Sequence, residues 1–82
     1  MNVKQAFSAP RPVGYVAVPA DVALSVRRFI VRHGEKAATD HFGLSRVAVA
    51  RAAAGLVVQG ATLMALRDGI ERAEALEREQ SP

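Results

Sequence analysis

The chain contains no cysteine and no tryptophan, and its only aromatic residues are Phe7, Tyr15, Phe29 and Phe42. Without cysteine there is no disulfide staple, no thiol nucleophile and no thiolate metal site, a usage that fits a reducing compartment. With so few aromatic rings, a core has to be built mainly from aliphatic and small side chains. Long apolar runs are also missing: the stretch Ala52 to Val58 falls far short of the roughly 20 residues that cross a bilayer. Pro10, Pro12, Gly14 and Pro19 interrupt the first twenty residues where a secretion signal would carry its apolar segment. Histidine is limited to His33 and His41, eight positions apart and without metal-binding spacing. The glycines form no phosphate-cradling run. Glu35 and Asp40 are out of helical phase for a paired-carboxylate site, and Ser45 has no accompanying base. These absences argue against an enzyme, a metal protein or a membrane protein, and no cofactor or small-molecule ligand is expected.

What is present is an alanine-rich chain of 82 residues, half of them hydrophobic, with room for one small domain. A core of this size seldom supplies more than about 3–5 kcal/mol of net stability, so dimerisation is the expected remedy. The net charge of +3 is unevenly spread. Residues 1–54 carry eight Lys or Arg against three acids, whereas residues 55–82 carry three Arg against five acids. A basic front with an acidic tail suggests one surface for a polyanion and another for a different partner.

Periodicity and punctuation predict an all-α domain of four helices preceded by an extended arm. Residues 1–20 hold prolines and cations without an acid and read as an arm. Within it Val13 to Val18 is rich in β-formers and suits a short strand that pairs with its twin in a dimer or stays loose. The first helix spans about 21–33, with Asp21 near its positive end and Val22, Val26, Phe29, Ile30 and His33 on one apolar face. Gly34 ends it. A second helix covers 35–42, with His41 at the surface. A third covers 45–54, and residues 56–60 form a loop. The fourth covers 61–79, with Leu63, Leu66, Ile70, Ala73 and Leu76 on one stripe. Gly69 weakens that helix by about 1 kcal/mol relative to alanine and marks a bend.

The segment from Glu35 to Ala54 meets the demands of two helices crossing through a tight turn. Ala38 and Thr39 are small where the backbones approach. Gly43 permits positive φ in the turn, Leu44 plugs it from below, and Ser45 caps the following helix. Val49 and Ala52 fall where the second helix must be buried. With these spacings, Ala-Ala-Thr-Asp-His-Phe-Gly-Leu-Ser-Arg-Val-Ala-Val-Ala-Arg-Ala-Ala-Ala-Gly resembles the helix-turn-helix of bacterial transcriptional regulators of the lac-repressor-like and phage-repressor-like kinds. The resemblance covers roughly residues 35–66. Thr39 departs from the usual alanine, and its hydroxyl needs a hydrogen-bond partner.

The resemblance implies a sequence-specific binder of double-stranded DNA, a transcriptional repressor in the cytoplasm and on the nucleoid when bound. Residues 21–60 would form the DNA-binding domain and residues 61–82 a dimerisation helix. With Val49 and Ala52 turned inward, Arg46, Val47, Ala50 and Arg51 face outward to read base edges in the major groove. Ser45, Lys36, Arg27, Arg28 and Arg32 are candidates for phosphate contacts, and Lys4 and Arg11 for a minor-groove arm. One such helix reads only a few base pairs, so a homodimer on a pseudo-palindromic operator is expected, joined through Leu63, Leu66, Ile70, Ala73 and Leu76. Two alternatives remain: a DNA-binding accessory factor such as an antitoxin, recombination or partition protein, and a helical protein–protein adaptor working through residues 61–79.

Overall fold

The computed structural model describes residues 14–80. In chain order they form strand β1 (Tyr15–Ala17), helices α1 (Ala20–His33), α2 (Glu35–Phe42) and α3 (Arg46–Ala53), strand β2 (Val57–Gln59) and helix α4 (Gly60–Gln80). The expected all-α domain of four helices is present, and a short two-stranded sheet is added to it. Lys4 and Arg11 lie outside the described residues.

The sheet corrects two expectations. Residues 57–59 are a strand and not part of a loop, and β1 finds its partner within the same chain. The two strands run antiparallel, with Tyr15 opposite Gln59, Val16 opposite Val58 and Ala17 opposite Val57. The Val18 amide extends the ladder to the Leu56 carbonyl at 3.3 Å, and the Gly60 amide donates to the Gly14 carbonyl at the other end. Val18 and Val58 are buried, which fastens the sheet to the helical core.

Helix α1 is the central element and packs against α2, α3 and α4. It begins at Pro19, whose extended backbone makes no side-chain cap, while Asp21 sits in the first turn where the helix dipole favours an acid. Val22, Ala23 and Val26 face the core. They meet Ala38 and Phe42 of α2, Val49 and Ala52 of α3 and Leu66 of α4.

Leu66 is 0% exposed, and Leu63 and Ile70 pack half-buried against the same core. The first part of the α4 stripe is therefore spent within the chain. Leu66 is thus core, and the expectation that it forms part of a dimer seam is corrected accordingly. Ala73 is half-buried and Leu76 is 52% exposed, so the stripe reaches solvent only in the C-terminal half of the helix.

The two histidines exchange their expected places. His33 is exposed, whereas His41 is half-buried and stacks on Phe29 with ring centroids 4.7 Å apart. His41 Nε2 lies 2.8 Å from the Gly69 carbonyl oxygen, and an N–H there donates to it. Gly69 is itself buried, and a Cβ added there would come within 2.7 Å of Phe42 Cε1. The absence of a side chain at Gly69 is what lets α2 and its Phe42 ring close against α4. Packing against Phe42 gives this glycine a role of its own.

Candidate nucleic-acid interface

The turn between α2 and α3 is built as its residue types require. Gly43 has φ 67° and ψ 34°, a left-handed conformation that side chains with a Cβ disfavour. Its amide donates to the Thr39 carbonyl at 2.9 Å, and the Leu44 amide reaches the same oxygen at 3.2 Å. Leu44 is half-buried beneath the turn. Ser45 is extended, and its hydroxyl accepts from the Ala48 amide at 3.1 Å, capping α3. The Thr39 hydroxyl donates to the Lys36 carbonyl at 2.8 Å, so threonine fits here without an orphaned hydroxyl.

Burial of Val49 and Ala52 fixes the rotation of α3 about its axis. Arg46, Val47, Ala50 and Arg51 then lie on the exposed side, with Val47 68% exposed. Beside them Glu35, Lys36, Thr39 and Ser45 line a shallow depression along the α2–turn–α3 surface. The face thus carries Lys36, Arg46 and Arg51 together with the acids Glu35 and Asp40.

Each of these cations has a partner within the chain. Arg46 Nη2 donates to Glu35 Oε1 at 3.1 Å, and Lys36 Nζ to Asp40 Oδ2 at 3.1 Å. Both pairs are well exposed, a setting in which an ion pair contributes about 0–1 kcal/mol, so either cation can exchange its carboxylate for a phosphate or a base edge at small cost. Arg51 is bound differently. Its Nε and Nη2 both donate to the Val57 carbonyl oxygen, at 3.2 and 2.9 Å. That oxygen points away from β1, because the ladder uses the carbonyls of Gly14 and Leu56 and the intervening Val16–Val58 pair. One edge of the guanidinium is occupied; the Nη1 end is not part of this contact.

The remaining candidates separate into different places. Arg27 Nη1 donates to the Ala53 carbonyl at 2.6 Å, placing a cation on the C-terminal end of α3 where the helix dipole favours it. Arg27 thereby anchors α3 to α1. Arg28 and Arg32 border the opposite side of α1, facing α4, and Arg32 Nη1 pairs with Glu77 Oε2 at 2.8 Å. The structure does not bring Arg28 or Arg32 to the α3 surface, which corrects their grouping with Lys36 and Ser45.

Sequence reasoning missed the Arg51–Val57, Arg27–Ala53 and Glu35–Arg46 contacts. The first two end on backbone carbonyls that carry no sequence signal. The third joins opposite charges eleven positions apart, and only the folded turn makes them neighbours. Among the described residues no helix is long and apolar enough to cross a membrane, and no group of three or more His, Asp or Glu side chains is placed to hold a metal ion. No protein-family model matches the chain, and neither the curated proteins nor the solved structures include one significantly similar to it.

Proposed function

We propose that the chain is a sequence-specific double-stranded DNA-binding regulator, a transcriptional repressor that acts as a homodimer with α3 in the major groove of each half-site. The observation that carries this reading is the face of α3. Val49 and Ala52 are buried on one side, and Arg46, Val47, Ala50 and Arg51 are presented together on the other. Arginine carries the planar donor fork that matches guanine O6 and N7, and valine supplies an apolar contact for a thymine methyl. Ala50 between them keeps the helix surface low enough for base edges to approach. An exposed valine among arginines has no role in the chain's own core, and groove contact gives it one.

The turn geometry supports the reading further. Ser45 and Lys36 flank the entry to α3, where phosphates on either side of the groove would lie. A transferable test follows from this division of labour. On the duplex that the full chain prefers, Arg46→Ala should lose affinity by ~1–3 kcal/mol and relax discrimination at one base pair, whereas Lys36→Ala should weaken preferred and scrambled duplexes alike. Fluorescence anisotropy at a fixed salt concentration separates the two effects. Equal losses on both duplexes for Arg46→Ala would argue for a polyanion-binding surface without base reading.

A further inference from the structure

Away from α3, a groove of about 390 Å³ opens between α1 and the C-terminal half of α4. Phe29, Ile70 and the ring of His41 line it, together with the half-exposed Leu76. One rim is basic, from Arg28 and Arg32 on α1; the other is acidic, from Glu74 and Glu77 on α4. We propose that this groove is the docking surface for a second copy of the chain, which inserts the C-terminal half of its own α4 around a two-fold axis. The inference rests on the homodimer part of the function proposed above and names the surface that part requires.

Charge complementarity selects a second copy over an unrelated partner. A two-fold axis places the acidic α4 edge of each protomer over the basic α1 edge of the other, so the complementary contact forms twice. A partner of one charge sign would match one rim and be repelled by the other. Arg32 and Glu77 already meet across the rims within one chain, but Arg28 and Glu74 have no side-chain partner among the described residues. The lining suits the role as well. Half-buried aromatic rings in a cleft are the kind of anchor around which interface energy concentrates, and Leu76, 52% exposed, supplies the apolar side chain to fill the opposing groove. The surface also leaves DNA reading undisturbed, because the α3 face lies beyond Ile30 on the other side of α1, where Ile30 lines a separate hollow with Arg46, Val47 and Ala50.

The test uses the full chain without DNA, by sedimentation equilibrium over a concentration series. Wild type is expected to be dimeric in the micromolar range. Arg28→Glu and Glu74→Arg should each raise the dissociation constant about tenfold or more, and the two together should restore it to near the wild-type value, because the contact is re-formed with the charges exchanged. The absence of cysteine allows a second readout: Leu76→Cys should form an intermolecular disulfide on mild oxidation, whereas Met64→Cys, exposed on α4 but about 18 Å back along its axis and not lining the groove, should not. A monomer throughout the series overturns the proposal, as does a dimer indifferent to both reversals or one that crosslinks through Met64→Cys and not Leu76→Cys. Failure of DNA reading would leave these results unchanged, and a monomer that still selected one half-site sequence would overturn the docking surface alone.

Discussion

Arg51 donates two hydrogen bonds to the Val57 carbonyl, joining the candidate recognition helix to the sheet six residues further on. The contact removes rotamer freedom from a long side chain before any ligand arrives, which lowers the ordering cost of binding. It also gives β2 a reason to form where a three-residue strand alone has little to hold it. If the Nη1 end of the guanidinium reads a base, Val57 acts as the buttress that aims it.

Two effects should therefore separate in Arg51 variants. Arg51→Ala is expected to cost about 1 kcal/mol of stability through the lost carbonyl contact, and a further ~1–3 kcal/mol of affinity on the preferred duplex. Arg51→Lys retains the charge but cannot hold the Val57 carbonyl through two donors and still present a guanidinium end beyond it, so general duplex affinity should recover and base discrimination should not. Denaturant midpoints and anisotropy on preferred and scrambled duplexes distinguish the two effects. Full recovery of discrimination by lysine would show that Arg51 acts only as a point charge.

Glu35 holds Arg46 in the free protein. Glu35→Gln should tighten binding to any duplex severalfold at low salt, because it frees the guanidinium and removes a carboxylate that would face the phosphates of a bound duplex. The gain should shrink as salt screens the interaction. Stability should change by no more than about 1 kcal/mol, the upper end for an exposed pair. Unchanged affinity at every salt concentration would mean that Arg46 stays out of the DNA contact.

Gly69 inverts the usual helix rule. Glycine to alanine inside a helix ordinarily gains about 1 kcal/mol, but here the added methyl would press into the Phe42 ring. Overpacking of this kind costs about 1–3 kcal/mol, so Gly69→Ala should be net destabilising, read from the urea midpoint. A stabilised variant would show that Phe42 has room to move.

Leu66 and Leu76 lie on one stripe of α4 and should behave differently. Leu66→Ala opens a cavity in the core and should lose about 2–5 kcal/mol at any protein concentration. Leu76→Ala should leave the monomer nearly as stable and show its loss through dissociation on dilution. Thermal unfolding at two concentrations reads both. A concentration-independent loss for Leu76→Ala would remove it from the interface.

The parts legible from sequence were those fixed by neighbours in the chain. Gly43, Leu44 and Ser45 announce their turn because left-handed backbone, a plug and a cap are each demanded within three residues. Val49 and Ala52 follow from helical phase once the turn is placed. What was not legible depends on partners distant in sequence. Val57–Gln59 is too short to show alternation, and its partner at Tyr15–Ala17 lies about forty residues away. The α4 stripe shows that an apolar face needs covering without showing what covers it, so from sequence alone Leu66 suits an interface, whereas the fold buries it in the core. Gly69 looked like a flaw because the Phe42 ring that needs its space belongs to another helix. Arg27, Arg28 and Arg32 looked alike in sequence, yet the fold sends one to the end of α3 and two to the α4 side.

Selecting duplexes from a random pool with the full chain asks whether the outward face of α3 reads DNA sequence. The expected result is enrichment of a pseudo-palindrome whose half-sites are about one helical turn apart, and loss of the motif's most constrained position when the selection is repeated with Arg46→Ala. A pool that binds without enriching any sequence, or a motif unchanged by Arg46→Ala, would contradict base reading by α3.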